Sequence, residues 1–176
     1  MKRLFCVLTL AAFAPAMWAD LIFTGTLTGS GENPPNASPA TGFIVVDLHN
    51  DGITLDVTES FSGLTVPASA AHIHCCAGPG TNAPVVLNFV GAGFPVGVTA
   101  GTFAHTFDLA TDLAGISLPA FTTALESGQT YANIHDANFP GGEIRGQLLE
   151  QVPEPSTFPL LGGCLISAAF LRRRRA

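Results

Sequence analysis

Apolar and polar residues alternate along the chain in short runs divided by turn residues, the period-two pattern that puts every second side chain on one face of a β-strand. Such runs lie at Leu21–Leu27, Gly42–Leu48 and Ile53–Val57, then at 70–75, 84–90, 101–108, 130–135 and 143–149. His49-Asn50-Asp51-Gly52 separates the second run from the third, and Asp-Gly between apolar runs predicts a hairpin. Gly29 to Pro39 is rich in Gly, Pro and Asn and predicts a loop. Pro119 to Ser127 predicts the one helix, with a proline at its start and Gly128 at its end. Strands at this spacing predict an all-β fold: an antiparallel β-sandwich, Greek-key or immunoglobulin-like, with a short helix near 119–127.

The two ends break the pattern. Lys2 and Arg3 precede an apolar stretch, Leu4 to Ala14, with small residues for cleavage at Ala16 or Ala19, so residues 1–19 read as a secretory signal peptide. At the other end, Val152, Pro153, Glu154, Pro155, Ser156 and Thr157 lead into an apolar segment, Phe158 to Leu171. Arg172, Arg173, Arg174 and Arg175 then form a basic stop of the kind that stays on the cytoplasmic side of a membrane. Both apolar segments predict hydrophobic helices that contact the membrane. The order of linker, apolar segment and basic stop, with VPEPST intact, closely resembles the PEP-CTERM sorting signal of Gram-negative bacteria. That resemblance implies an exosortase-type processing enzyme as partner, transient anchoring in the inner membrane, and export to the envelope or beyond. The expected division is a signal peptide at 1–19, a β domain at 20–150 and a sorting tail at 151–176.

Charge and cysteine content change once the ends are set aside. Residues 20–152 hold seven Asp and five Glu against a single basic residue, Arg145, a formal net charge of −11. So acidic a surface is repelled by phosphate backbones, which argues against nucleic acid as a partner. Two of the four cysteines also leave with the ends, and Cys75-Cys76 remains. Adjacent cysteines close only a small strained ring, so no structural disulfide is expected between them.

The distinctive polar residues fall on three of the predicted strands. His72 and His74 share one face, opposite Ala71 and Ile73. Tyr131, Asn133 and His135 share another, opposite Ala132 and Ile134, while Glu143, Arg145 and Gln147 oppose Ile144. With the apolar sets turned into the core, all these polar groups land on one sheet face. Two readings follow. In one, Asn133, Glu143 and Arg145 join the histidines in a structural polar network, with Arg145 paired to a carboxylate such as Glu143 or Asp136. In the other, His72, His74 and His135 bind a metal ion, with Glu143 or a cysteine as a further ligand. Imidazole donors in an exported protein suit zinc or copper. No order of Ser, His and Asp or of Cys and His argues for nucleophilic catalysis, so no catalytic residue is assigned.

These segments resemble the CHRD domain, named from chordin. The resemblance spans about residues 21–149. It rests on Glu32, Pro34 and Pro35, on His72-Ile73-His74, on Tyr131, Asn133 and His135, and on Phe139, Pro140, Gly142, Glu143, Ile144, Arg145 and Gly146. Asp136 stands where the family usually has Thr, and Cys75-Cys76 interrupts the usual step from histidine to glycine. The resemblance implies a β-sandwich exported domain and leaves its activity open. The combined expectation is a non-catalytic binding or structural module at the envelope or in the extracellular polymer matrix, touching a polymer or surface protein. The alternative is a histidine-based zinc or copper binding protein, with a redox enzyme as its catalytic form.

Overall fold

A computed structural model describes residues 20–151. The expected signal peptide, and the helices and sorting residues of the tail, lie outside the described residues. Nine strands form one antiparallel sheet: β1 (Leu21–Thr28), β2 (Thr41–Leu48), β3 (Thr54–Ser62), β4 (Ala68–Cys75), β5 (Val85–Asn88), β6 (Gly101–Asp108), β7 (Thr130–Asp136), β8 (Ile144–Gln147) and β9 (Leu149–Glu150). Their order across the sheet is β5-β4-β7-β8-β1-β2-β3-β6, with the short β9 also paired to β1. Two helices, α1 (Leu109–Asp112) and α2 (Leu118–Glu126), follow β6.

Alternation explains the strands. On β1 the side chains of Phe23 and Leu27 are fully buried, and on β3 Leu55, Val57 and Phe61 are buried while Thr58 and Ser60 face outward. The β2–β3 hairpin forms where Asp-Gly predicts it. Gly52 has φ 72°, the left-handed conformation a glycine adopts without penalty, and Asp51 Oδ1 accepts from Ile53 N and Thr54 N. The two ends of the strand path meet inside. Phe89, just past β5, stacks at 4.9 Å on Phe103 of β6 and lies 5.7 Å from Phe107. The layers are thus two halves of one curled sheet closed over a phenylalanine-rich core, and the all-β antiparallel expectation holds.

Three local differences have simple causes. The predicted run at 143–149 is split, because Leu148 turns into the core and β9 shifts to pair with β1. The run at 84–90 stops at Asn88, whose Oδ1 accepts from Val90 N and opens a 3-10 turn. Cys75 and Cys76, expected to stay apart, form a disulfide with each other. β4 ends at Cys75, so strict alternation no longer separates the two side chains beyond it.

Candidate metal centre on the β4-β7-β8 face

Adjacent strands β4, β7 and β8 bring the predicted polar residues together. Register pairs His72 with Asn133 and His74 with Tyr131 across β4 and β7, and Asn133 with Arg145 across β7 and β8. Ala71, Ile73, Ala132, Ile134 and Ile144 are fully buried on the opposite, core side. The polar face is itself covered by loops. Arg145 Nη2 donates to Thr81 O at 2.8 Å and Nη1 to Asn82 Oδ1 at 3.1 Å, while Asn82 Nδ2 donates to Asn33 O at 3.0 Å. Gln147 Nε2 donates to Ala77 O and Gly128 O, closing the far end.

The three histidines converge. One ring nitrogen from each of His72, His74 and His135 lies within 4.8 Å of the others, and His72 Nδ1 is 3.1 Å from His135 Nε2. The remaining nitrogens of two rings are committed to backbone carbonyls: His74 Nδ1 to Ala83 O at 2.8 Å and His135 Nδ1 to Pro140 O at 3.1 Å. A carbonyl oxygen only accepts, so both contacts fix Nδ1–H and leave Nε2 free to ligate, the orienting contact that metal-bound histidines use. Burial lowers the pKa of all three, that of His72 to about 4 with help from its two histidine neighbours. The rings are therefore neutral near pH 7, the form that binds metal.

Tyr131 stands beside this cluster. His74 stacks on its ring at 4.6 Å and 4°, and Arg145 Cζ lies 3.3 Å from the ring centroid. Arg145, 2 % exposed, thus braces β8 against the 81–82 loop and Tyr131. The expected carboxylate pairing of Arg145 does not form. Among the described residues, the ion pair is His49 with Asp56, at 3.0 Å on the surface.

Glu143 also departs from expectation. It precedes β8, so strand alternation does not carry it onto the histidine face. Its Oε1 accepts from Ser38 Oγ at 2.6 Å and Thr65 N at 2.9 Å, fastening two loops to the start of β8. Burial and the neighbouring Asp136 raise its pKa. Asp136 caps the turn after β7 by accepting from Asn138 N and Phe139 N, which holds Pro140 O over His135. Asn133 and Arg145 thus lie side by side on this face, while Glu143 serves another part of the fold. A cysteine ligand is excluded as well, because both thiols are spent on the disulfide.

Compared with known families, residues 23–148 match the CHRD domain. The chain belongs to the CHRD domain family. Residues 151–175 match the PEP-CTERM protein-sorting motif, so this CHRD protein carries the signal by which exosortase-type machinery sorts proteins to the cell envelope or extracellular space. No curated protein and no solved structure matches the chain.

Two parts of the site had little sequence signal. The carbonyls of Ala83 and Pro140 are backbone groups that any residue supplies, and only the folded loops aim them. Glu32 was visible in the E-x-P-P element, yet its place was not. It is 5 % exposed, beside Asn133 and within reach of the charge of Arg145, and burial raises its carboxyl to about 7.

Proposed function

We propose that the CHRD domain is a non-catalytic, exported metal-binding module that holds one zinc or copper ion through His72, His74 and His135. The observation that carries this reading is the pair of backbone carbonyls that fix the Nδ1–H form of two rings whose Nε2 atoms face inward. The convergence of three desolvated, neutral imidazoles on one point supports it further. Ligands on three strand positions of a rigid sheet are held near their bound geometry before the ion arrives. The acidic surface of residues 20–152 adds a general attraction for cations.

Metal analysis of the purified protein after zinc or copper loading is the test. The unmodified protein is expected to hold one ion per chain, and a His72→Ala/His74→Ala variant well under a tenth of that. Equal metal in both would overturn the reading.

The signal peptide, passage through the inner membrane and removal of the tail complete the proposal, with residues 20–150 as the mature domain in the extracellular matrix of a Gram-negative cell. Intact-mass measurement of the secreted protein is expected to show a chain lacking Arg172 to Arg175. A secreted species that retains those four arginines contradicts tail removal.

A further inference from the structure

We infer that Asn133 Oδ1 is the fourth protein ligand of this centre and that Glu32 is the positioning residue that turns the amide so its oxygen faces the ion. The inference rests on the three-histidine reading and extends it to two residues outside the imidazole set.

Because Ala83 O and Pro140 O each need a donor, the neutral rings of His74 and His135 carry their proton on Nδ1 and a lone pair on Nε2. Both Nε2 atoms lie 3.0 Å from the same atom, Asn133 Oδ1, which has only lone pairs to offer. Three electron-rich atoms therefore face one another in a buried place. Rotating the amide would let Nδ2 donate to both rings, yet it would press Oδ1 against Glu32. The two groups crowd one spot: a Cβ added to Gly142 would fall 2.2 Å from Glu32 Oε1 and 2.8 Å from Asn133 Nδ2. Glu32 Oε1 is buried and has no hydrogen-bond partner among the described residues, and the amide NH2 turned to that side offers it a donor.

Moving the protons about the rings does not help. Shifting the His74 proton to Nε2 sets a bare Nδ1 against Ala83 O, and the same exchange on His135 sets one against Pro140 O. With Oδ1 turned toward the rings, the Nε2 lone pairs of neutral His74 and His135 face the lone pairs of that same oxygen. A cation at the centre turns all of them into ligands at once. Three of the six donor pairs approach the spacing of a tetrahedral ion, whose donors about 2.0–2.1 Å from the metal sit roughly 3.3 Å apart, while the three imidazole nitrogens lie within 4.8 Å of one another. Here His74–Asn133 and His135–Asn133 are 3.0 Å and His72–His135 is 3.1 Å.

Cobalt(II), whose visible absorption is intense in four-coordinate sites, is the probe for the full-length protein. Asn133→Leu is expected to lose the wild-type spectrum and to bind cobalt at least tenfold more weakly. Glu32→Ala is expected to weaken cobalt binding about 10- to 100-fold, the usual effect of removing an outer partner of a ligand, with a changed spectrum. The double variant Glu32→Ala/Asn133→Asp separates positioning from mere support. A carboxylate has two equivalent oxygens and needs no orienting, so the double variant is expected to regain the four-coordinate spectrum. Should Asn133→Leu not fold, the Glu32→Ala and double-variant pair carries the test. Wild-type spectra and affinity in Glu32→Ala would overturn the inference while leaving the three histidines as ligands. Failure of the wild-type protein to take up cobalt would overturn the metal reading and this inference with it.

Discussion

Zinc at about a thousandfold excess over its Kd is expected to raise the Tm of the CHRD domain by roughly 10–15 °C, and His135→Ala to remove most of that rise. Binding to the folded state alone at such excess stabilises by about 4 kcal/mol, and each kcal/mol moves the midpoint of a domain this size by a few degrees. The rise depends on a site that exists only in the folded chain. His72 and His74 come from β4 and His135 from β7, 61 or more residues later, so the unfolded chain offers no such cluster. It also depends on a fold that stands without the ion. The core of Phe23, Leu27, Ile44, Leu55, Ile73, Phe89, Phe121 and Ile134 lies on the other side of the sheet and is closed chiefly by apolar contacts. His135→Ala measured in chelator is therefore expected to keep a cooperative transition. Equal zinc-dependent shifts in the two proteins, read by calorimetry, would show that zinc binds elsewhere.

Glu59→Leu is expected to stabilise the fold, by more at pH 9 than at pH 5. Glu59 points inward from β3 between Val57 and Phe61, is 3 % exposed, and neither carboxyl oxygen has a hydrogen-bond partner among the described residues. Burial raises its pKa from 4.5 to about 8. An acid whose folded pKa lies above its unfolded value holds its proton more tightly when folded. Stability is therefore highest below the unfolded value and falls as pH rises from about 4.5 toward 8. Above that range the folded state carries a buried unpaired charge that costs on the order of several kcal/mol. Leucine removes the charge and fits an apolar setting. Urea midpoints at the two pH values check it: a gain that is the same at both, or a loss at pH 9, contradicts the account of Glu59 as an unpaired buried acid.

Much of this fold was written in the chain at the level of single elements. The period-two runs, Asp51-Gly52 and Pro119 with Gly128 each signal a local structure that short-range sterics enforce. The histidine face was legible for the same reason, since alternation alone sets His72 and His74 against Ile73, and Asn133 and His135 against Ile134. What escaped depends on contacts between distant segments or on where a strand stops. Glu143 lies one residue before β8 and so follows the Ser38 and Thr65 loops rather than the sheet. Arg145 meets the 81–82 loop instead of an acid, because strand order and loop path decide what stands opposite a buried guanidinium. Cys75 and Cys76 form their bond at the end of β4, closing the small ring that adjacency alone argued against.

The histidine face connects these levels: sequence alternation gathers the rings, loop carbonyls fix their tautomers, and Asn133 closes the set. X-ray absorption at the zinc edge of the loaded protein tests that most directly, because it counts and types the ligands at the ion itself. The account predicts three imidazole nitrogens and one oxygen at about 2.0–2.1 Å. A shell without imidazole scattering, or one made of carboxylate and water oxygens alone, would contradict it.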